Sequence, residues 1–173
     1  LQTSYKIKLA LKKIQDKQFL NKKIQQQFLE LLKSKPHLSS ILKKMKQLGI
    51  LGKIIPEFKM IQGQMQFDMF HIYTVDEHTF KVVRNMRQMY IGTNNKDFDM
   101  ESELIRKLPK IEILYLAGLF HDLGKGKGGN HSEIGSSMVH DFALRAGISK
   151  ADEELLVWLV KNHLFMSLIA QKK

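Results

Sequence analysis

The chain has 173 residues, a net charge of +11, and 43% apolar and 26% charged residues. This length and composition are those of one globular domain with a core of its own. The sequence contains no cysteine, which excludes disulfides and thiolate metal sites. Any metal must therefore be held by His, Asp, Glu and water.

The positive charge is confined to the first third of the chain. Residues 1–60 hold 14 lysines and arginines against 3 acidic residues, whereas residues 61–173 hold 14 of each. The lysines lie among apolar residues at helical spacing, as Lys12, Lys13 and Lys17 do. This spacing favours a solvated helix face over a nucleic-acid-binding surface. We expect a basic helical segment packed beside a helical domain, and no nucleic-acid partner.

Helical periodicity runs through the whole chain and strand signals are nearly absent, which predicts an all-α fold. In chain order, the predicted helices cover residues 4–15, 19–33, 36–49, 75–91, 101–107, 110–122, 131–146 and 150–163. Pro36 opens the third of these, Gly147 ends that over 131–146, and Ser149 caps the next. A further helix begins near Phe165. The predicted connecting segments are 51–58, 93–100 and 124–130.

No segment predicts a membrane span or export. The longest apolar run, residues 113–120, is far shorter than the ~20 residues that a spanning helix needs. The chain opens on LQTSY without a signal-peptide pattern. We expect a cytoplasmic protein without a membrane partner. The opening without Met and the ending on QKK predict a piece cut from a longer protein.

The segment LFHDLGKGKGGNHSE, residues 119–133, contains a G-x-G-x-x-G pattern at Gly124, Gly126 and Gly129. In dinucleotide-binding folds this pattern follows a buried strand, and an acidic residue follows a second strand. Here the preceding segment is predicted to be a helix, and no second strand is predicted. The pattern therefore does not favour a nucleotide-binding loop.

The same segment belongs to a series of histidines that favours a metal site. His121 and Asp122 are adjacent at the end of an apolar helix, where an unpaired carboxylate would be costly to bury. His78 lies within a helix, His131 follows the loop and His163 ends an apolar run. Each alone is explained by ordinary hydrogen bonding or a helix end, but their joint order on successive helices favours metal binding. The remaining histidines are expected to be structural: His37, His71 and His140.

This order of residues resembles the HD superfamily of metal-dependent phosphohydrolases. The closer similarity is to the HD domain of the bifunctional uridylyltransferase/uridylyl-removing enzymes. It is carried by MQFDMFHIYTVDEHT (65–79), LAGLFHDLGKGKGGNHSEIG (116–135) and LVWLVKNHLFMSLIAQKK (156–173), and it extends from about residue 48 to the C-terminus. The resemblance implies an HD-domain helical bundle over 61–173, preceded by the basic helical segment 1–60.

The resemblance also implies an activity and partners. In that family the HD domain is associated with hydrolysis of the phosphodiester between UMP and a tyrosine of the PII nitrogen-signalling protein. Uridylylated PII and other domains of a longer parent chain are therefore the expected partners.

By position, His78, His121 and Asp122 match the ligands of a first metal in the HD pattern. His131 and His163 match ligands of a second metal, with Asp122 able to bridge the two. The expected cofactor is one or two divalent ions, Mn, Fe, Zn or Mg. Mg is the least favoured of these, because it binds imidazole ligands less readily.

Two lysines are assigned to the phosphate. Lys125 matches the lysine of the HD-x-x-K pattern, and with Asp122 it is the expected catalytic residue. Lys127 is a second candidate for the same contact. The glycines around them are expected to form a flexible link that lets the backbone approach a phosphate. The superfamily carries a further Asp on its last helix, which is expected directly after Lys173, so the alternative is a catalytically incomplete, regulatory or nucleotide-binding HD module.

Overall fold

The computed structural model describes residues 2–33, 37–65, 73–92 and 99–171, and within them it confirms the all-α fold. The only β pairing among the described residues is a single bridge between Met65 and Thr74. The α-helices are, in chain order, α1 (Gln2–Lys13), α2 (Asp16–Phe19), α3 (Lys22–Lys33), α4 (Leu38–Leu48), α5 (Leu51–Ile54), α6 (Phe58–Ile61), α7 (Val75–Ile91), α8 (Asp99–Arg106), α9 (Ile111–Phe120), α10 (His131–Ala146), α11 (Lys150–Lys161) and α12 (Phe165–Gln171). Predicted features outside the described residues are Pro36, His71 and most of the loop 93–100.

Helix α9 is the central element of the bundle. Apart from Glu112, its sequence IEILYLAGLF is apolar on all sides, and most of its side chains are buried, among them Tyr115, Leu116 and Phe120. A helix that is apolar all round is stable only when neighbours surround it, and α3, α7, α10 and α11 all pack against it. The first polar residues after α9 are His121 and Asp122. Because other helices surround α9, these two residues lie where those helices meet.

The basic segment shares a hydrophobic core with the rest of the chain. The ring of Phe28 on α3 lies 6.2 Å from that of Phe142 on α10, and Phe58 on α6 lies 5.5 Å from Phe80 on α7. All four side chains belong to one cluster of buried residues. The division of the chain at residue 60 stays a prediction.

Two segments differ from the predicted elements. The helix predicted over 19–33 is interrupted, because Asn21 Oδ1 accepts a hydrogen bond from the backbone N–H of Lys23 (2.8 Å) and starts α3 anew. The buried Gln25 side chain donates to the carbonyls of Phe19 (2.8 Å) and Ile54 (3.0 Å). It thereby satisfies carbonyl groups at the C-terminal ends of α2 and α5. The predicted connector 51–58 contains the one-turn helix α5 and the start of α6.

Local capping fixes the bounds of the last long helices. Asn130 Oδ1 accepts from the backbone N–H of Ser132 (3.2 Å), so α10 begins directly after it. Gly147 ends α10 with a φ of 67°, and Ser149 Oγ accepts from the backbone N–H of Asp152 (3.3 Å) at the start of α11, as predicted. Across the described ranges, each helix falls short of the length and hydropathy needed to cross a bilayer.

Candidate metal centre

Five predicted site residues come together where several helices meet. His78 projects from the first turn of α7, and His131 is the first residue of α10. His121 and Asp122 follow the last residue of α9, and His163 lies two residues after α11. Four separate elements thus supply one cluster.

Asp122 is the centre of this cluster, and its two carboxylate oxygens face different histidines. Oδ2 lies 3.2 Å from His121 Nε2 and 3.7 Å from His78 Nε2. Oδ1 lies 3.7 Å from both His131 Nε2 and His163 Nε2. In each of the two groups, the three candidate ligand atoms all lie within 4.8 Å of one another. The structure therefore brings together both predicted ligand sets, with the shared carboxylate between them.

The Asp122 carboxylate is ionised although it is buried, with only 3% of its side chain exposed. Burial alone raises the pKa of a carboxyl group. Hydrogen bonding and charge from His121 and Lys125 outweigh this effect and hold the pKa of Asp122 well below its usual value. The Lys125 Nζ donates to Asp122 Oδ2 at 2.9 Å. A negatively charged carboxylate therefore lies between the two histidine groups.

Two of the histidine rings are oriented by the ends of their own helices. His121 Nδ1 lies 2.9 Å from the carbonyl oxygen of Gly118, and His163 Nδ1 lies 2.8 Å from that of Val160. A carbonyl only accepts, so each Nδ1 carries the proton and donates it. Nε2 is then the ring nitrogen that faces Asp122, and it is the atom left to offer a lone pair to a metal when the ring is neutral. This is the usual way in which an outer contact prepares a histidine for a metal.

The donor set fits a divalent cation. The Nε2 atoms of His131 and His163 are buried and have no hydrogen-bond partner within the described residues. Burial also lowers the pKa of both imidazoles below the usual value, which keeps the rings neutral and their lone pairs available. Buried ring nitrogens without a partner that converge on a carboxylate are what a metal ion would satisfy.

The first part of the glycine-rich segment is a packed turn, where the sequence predicted a loop. Residues Leu123–Lys127 form a 3-10 helix. A Cβ on Gly124 would overlap the carbonyl of His131, and one on Gly126 would lie 2.9 Å from Met60 Cβ. Gly124 and Gly126 are needed because the turn is pressed against α10 and α6, whereas Gly128 and Gly129 adopt positive φ angles of 71° and 83°.

Gln64 also holds this turn, and sequence reasoning missed it. Its Nε2 donates to the carbonyl of Lys125 at 3.1 Å and fixes the backbone that carries the lysine. No local pattern marks this contact, because 61 residues separate the partners. Lys127, the second predicted phosphate contact, is exposed, and in the part of the chain that the structure describes no ion pair joins it to Asp122.

The other described histidines lie apart from the cluster. His140 pairs with Glu153 through Nδ1 and Oε1 at 2.8 Å on the surface between α10 and α11. His37 precedes α4 in the left-handed region, with a φ of 59°. Neither belongs to the two groups around Asp122.

Comparison with known proteins agrees with this geometry. The family model described as "HD domain" matches residues 75–172, which include all five clustered residues and Lys125. A bifunctional uridylyltransferase/uridylyl-removing enzyme of Azotobacter vinelandii is 49% identical over 146 residues. That of Pseudomonas fluorescens strain Pf-5 is 48% identical over the same length.

Each of these alignments covers 84% of this chain but 16% of the relative, so the chain spans about a sixth of the length of the curated relatives. They support a hydrolytic module of the metal-dependent kind. The chain belongs to the HD domain family.

Proposed function

We propose that this chain is a phosphodiesterase module that removes UMP from uridylylated PII protein. The bond cleaved is the phosphodiester between UMP and a tyrosine side chain. The proposal gives the chain two classes of partner, the modified PII protein and other domains of a longer parent protein, and it places the reaction in the cytoplasm. The names of the curated relatives, uridylyl-removing enzymes, support the substrate class.

The placement of Asp122 is the observation that carries the proposal. A single buried carboxylate with a histidine pair on each oxygen suits two divalent ions that share one ligand. His78 and His121 would hold the first ion, and His131 and His163 the second. Mn, Fe and Zn suit imidazole and carboxylate ligands, and Mg suits them less because of the histidines. When bound, such an ion supplies a Lewis acid for a phosphoryl oxygen and makes hydroxide available near neutral pH.

The chain's own residues supply the rest of the chemistry. Lys125 is held against Asp122, yet 22% of its side chain remains exposed. Its ammonium group is therefore placed to contact a non-bridging phosphate oxygen that develops charge in the transition state. Lys127 offers a more solvated charge beside it. The leaving group is a tyrosine phenolate with a pKa of about 10, so it departs without strong assistance from an acid.

The test is a hydrolysis assay with the p-nitrophenyl ester of UMP and with uridylylated PII, in excess Mn²⁺. We expect release of UMP by the wild-type chain and a loss of at least about 100-fold in His121→Ala, because a direct metal ligand is removed. The matched control is His140→Ala, which removes a histidine outside the cluster and should retain activity. Elemental analysis of the same samples measures the metal content.

Two results would contradict the proposal. The first is metal binding without hydrolysis of either substrate, which would favour a regulatory or nucleotide-binding module. The second is equal activity in His121→Ala and His140→Ala, which would place the reaction elsewhere in the chain.

A further inference from the structure

An apolar cavity of about 290 Å³ opens beside the candidate metal centre. Its walls come from the three helices α7, α9 and α11. The apolar residues that line it are Val82, Met86, Leu114, Ala117, Gly118 and Leu159. Among the described lining residues, the only polar side chains are those of His121 and His163.

The cavity adjoins both halves of the centre. His121 belongs to the group on Asp122 Oδ2, and His163 belongs to the group on Oδ1. The two rings lie 5.2 Å apart, edge to face. A phosphate held over Asp122 would therefore have one of its substituents directed along these rings into the cavity.

The size and the apolar lining of the cavity suit a single aromatic ring. Gly118 lets Met86 pack closely against α9, because a Cβ at this position would lie 3.0 Å from the sulfur of Met86. The Met86 thioether and the aliphatic side chains around it offer the soft contacts that a ring prefers. A six-membered ring fits easily within this volume.

A nucleoside does not suit the same space. Both imidazoles are already committed, because each Nδ1 donates to a backbone carbonyl and each Nε2 faces Asp122. The carbonyl and N–H groups of a pyrimidine, and the hydroxyls of a ribose, would find no partner among the apolar residues. Burying such groups without hydrogen bonds is costly.

We propose that this cavity binds the aryl ring of the leaving group and so makes the centre selective for aryl phosphodiesters. This inference rests on the proposed function, and it assigns the aryl substituent of the phosphodiester to the cavity. The tyrosine ring enters the cavity, and the nucleoside lies outside it. Val82, Met86 and Gly118 then determine specificity, and none of them touches the reacting atoms.

Binding of phenyl phosphate and of methyl phosphate to the Mn²⁺-loaded chain tests the inference. Both ligands carry the same phosphate group, and only the first carries a ring. We expect phenyl phosphate to bind about tenfold more tightly, because it removes more apolar surface from water. Calorimetric titration measures both affinities without turnover.

Filling the cavity should abolish this preference. In Val82→Phe the new ring occupies the space from α7, so phenyl phosphate should bind no better than methyl phosphate, whose affinity stays within about twofold of wild type. Ala117→Leu fills the cavity from α9 and serves as a second variant should the first not fold. The control is Leu144→Phe on the exposed face of α10, which should keep the tenfold preference.

Equal binding of the two ligands to the wild-type chain would overturn the inference. So would a preference that survives in a folded Val82→Phe or Ala117→Leu variant. Absence of hydrolysis, by contrast, counts against the proposed function alone, because the preference is measured by binding.

Discussion

Replacing Asp122 with Asn tests whether one carboxylate serves both histidine groups. The change keeps the size of the side chain and removes the negative charge. Without metal, the variant loses the charge-assisted hydrogen bond from Lys125 at 2.9 Å. Since Lys125 is partly exposed and can reach water, we expect a loss of about 1–3 kcal/mol in the free energy of unfolding.

The larger effect of this substitution should be on metal binding. A metal at about 1,000 times its dissociation constant stabilises the folded state by about 4 kcal/mol. In a domain of this size that corresponds to a rise of about 8–16 °C in Tm. Loss of a shared ligand should weaken binding at least about 100-fold. The residual metal-dependent rise in Tm is then at most about 3–6 °C.

Thermal unfolding of wild type and Asp122→Asn, each with and without Mn²⁺, measures both effects. Asp141→Asn is the matched control, because this carboxylate is exposed on α10 and should leave both values unchanged. If Asp122→Asn keeps the full metal-dependent rise in Tm, the carboxylate is not a ligand, and the interpretation of the cluster is wrong. If it unfolds the metal-free chain outright, as circular dichroism would show, the role of Asp122 is structural.

Three further predictions concern the neighbourhood of the centre. In Gly124→Ala the new Cβ would lie 2.8 Å from the His131 carbonyl carbon, so the turn or α10 must shift by about 1 Å. Because this shift displaces the ligands, metal affinity should fall at least about tenfold. Unchanged metal affinity would refute the packing argument. Burial lowers the pKa of His131 and His163 below 6.5. The unfolded chain therefore binds more protons than the folded chain as the pH falls towards these pKa values. The metal-free chain should lose stability as the pH falls from about 8 to about 5. Urea unfolding should show a weaker pH dependence in His163→Gln; an equal dependence would contradict this origin. Lys46→Met removes the cation paired with the buried Asp76 and should cost about 3–5 kcal/mol, measured by urea unfolding; a loss below about 1 kcal/mol would show that water already solvates the carboxylate.

Much of the fold follows from local sequence signals. The periodicity that predicts α7 and α10 reflects helices with one buried face, and Gly147 and Ser149 act locally as a stop and a cap. The helix break before α3 was not predicted. Asn21 caps α3 locally, but the break is also supported by Gln25, which donates to the carbonyl of Ile54, 29 residues away. Side-chain contacts at that distance have no periodic signature.

The candidate site shows the same limit. His121, Asp122 and their partners were predicted as a set, because their joint order on successive helices favours a metal site and resembles the HD pattern, although each residue alone has an ordinary explanation. Their division between the two oxygens of Asp122 required the relative placement of four elements. The turn that carries Lys125 was misjudged for a related reason. Glycine occurs both in flexible segments and in tightly packed turns. Only the contacts with α6 and α10 distinguish the two cases here.

The bonds from His121 and His163 to the carbonyls of Gly118 and Val160 have a consequence for the order of assembly. Each carbonyl belongs to the last turn of a helix, where a backbone oxygen lacks its usual partner. The ring that ends the helix is thus the same ring that would bind the metal. Completing the helix selects the tautomer and freezes the rotation of the imidazole, so the entropy of ordering these ligands is lost during folding. A metal ion that binds would find both imidazoles already oriented towards it. The two rings would keep this orientation after the ion dissociates.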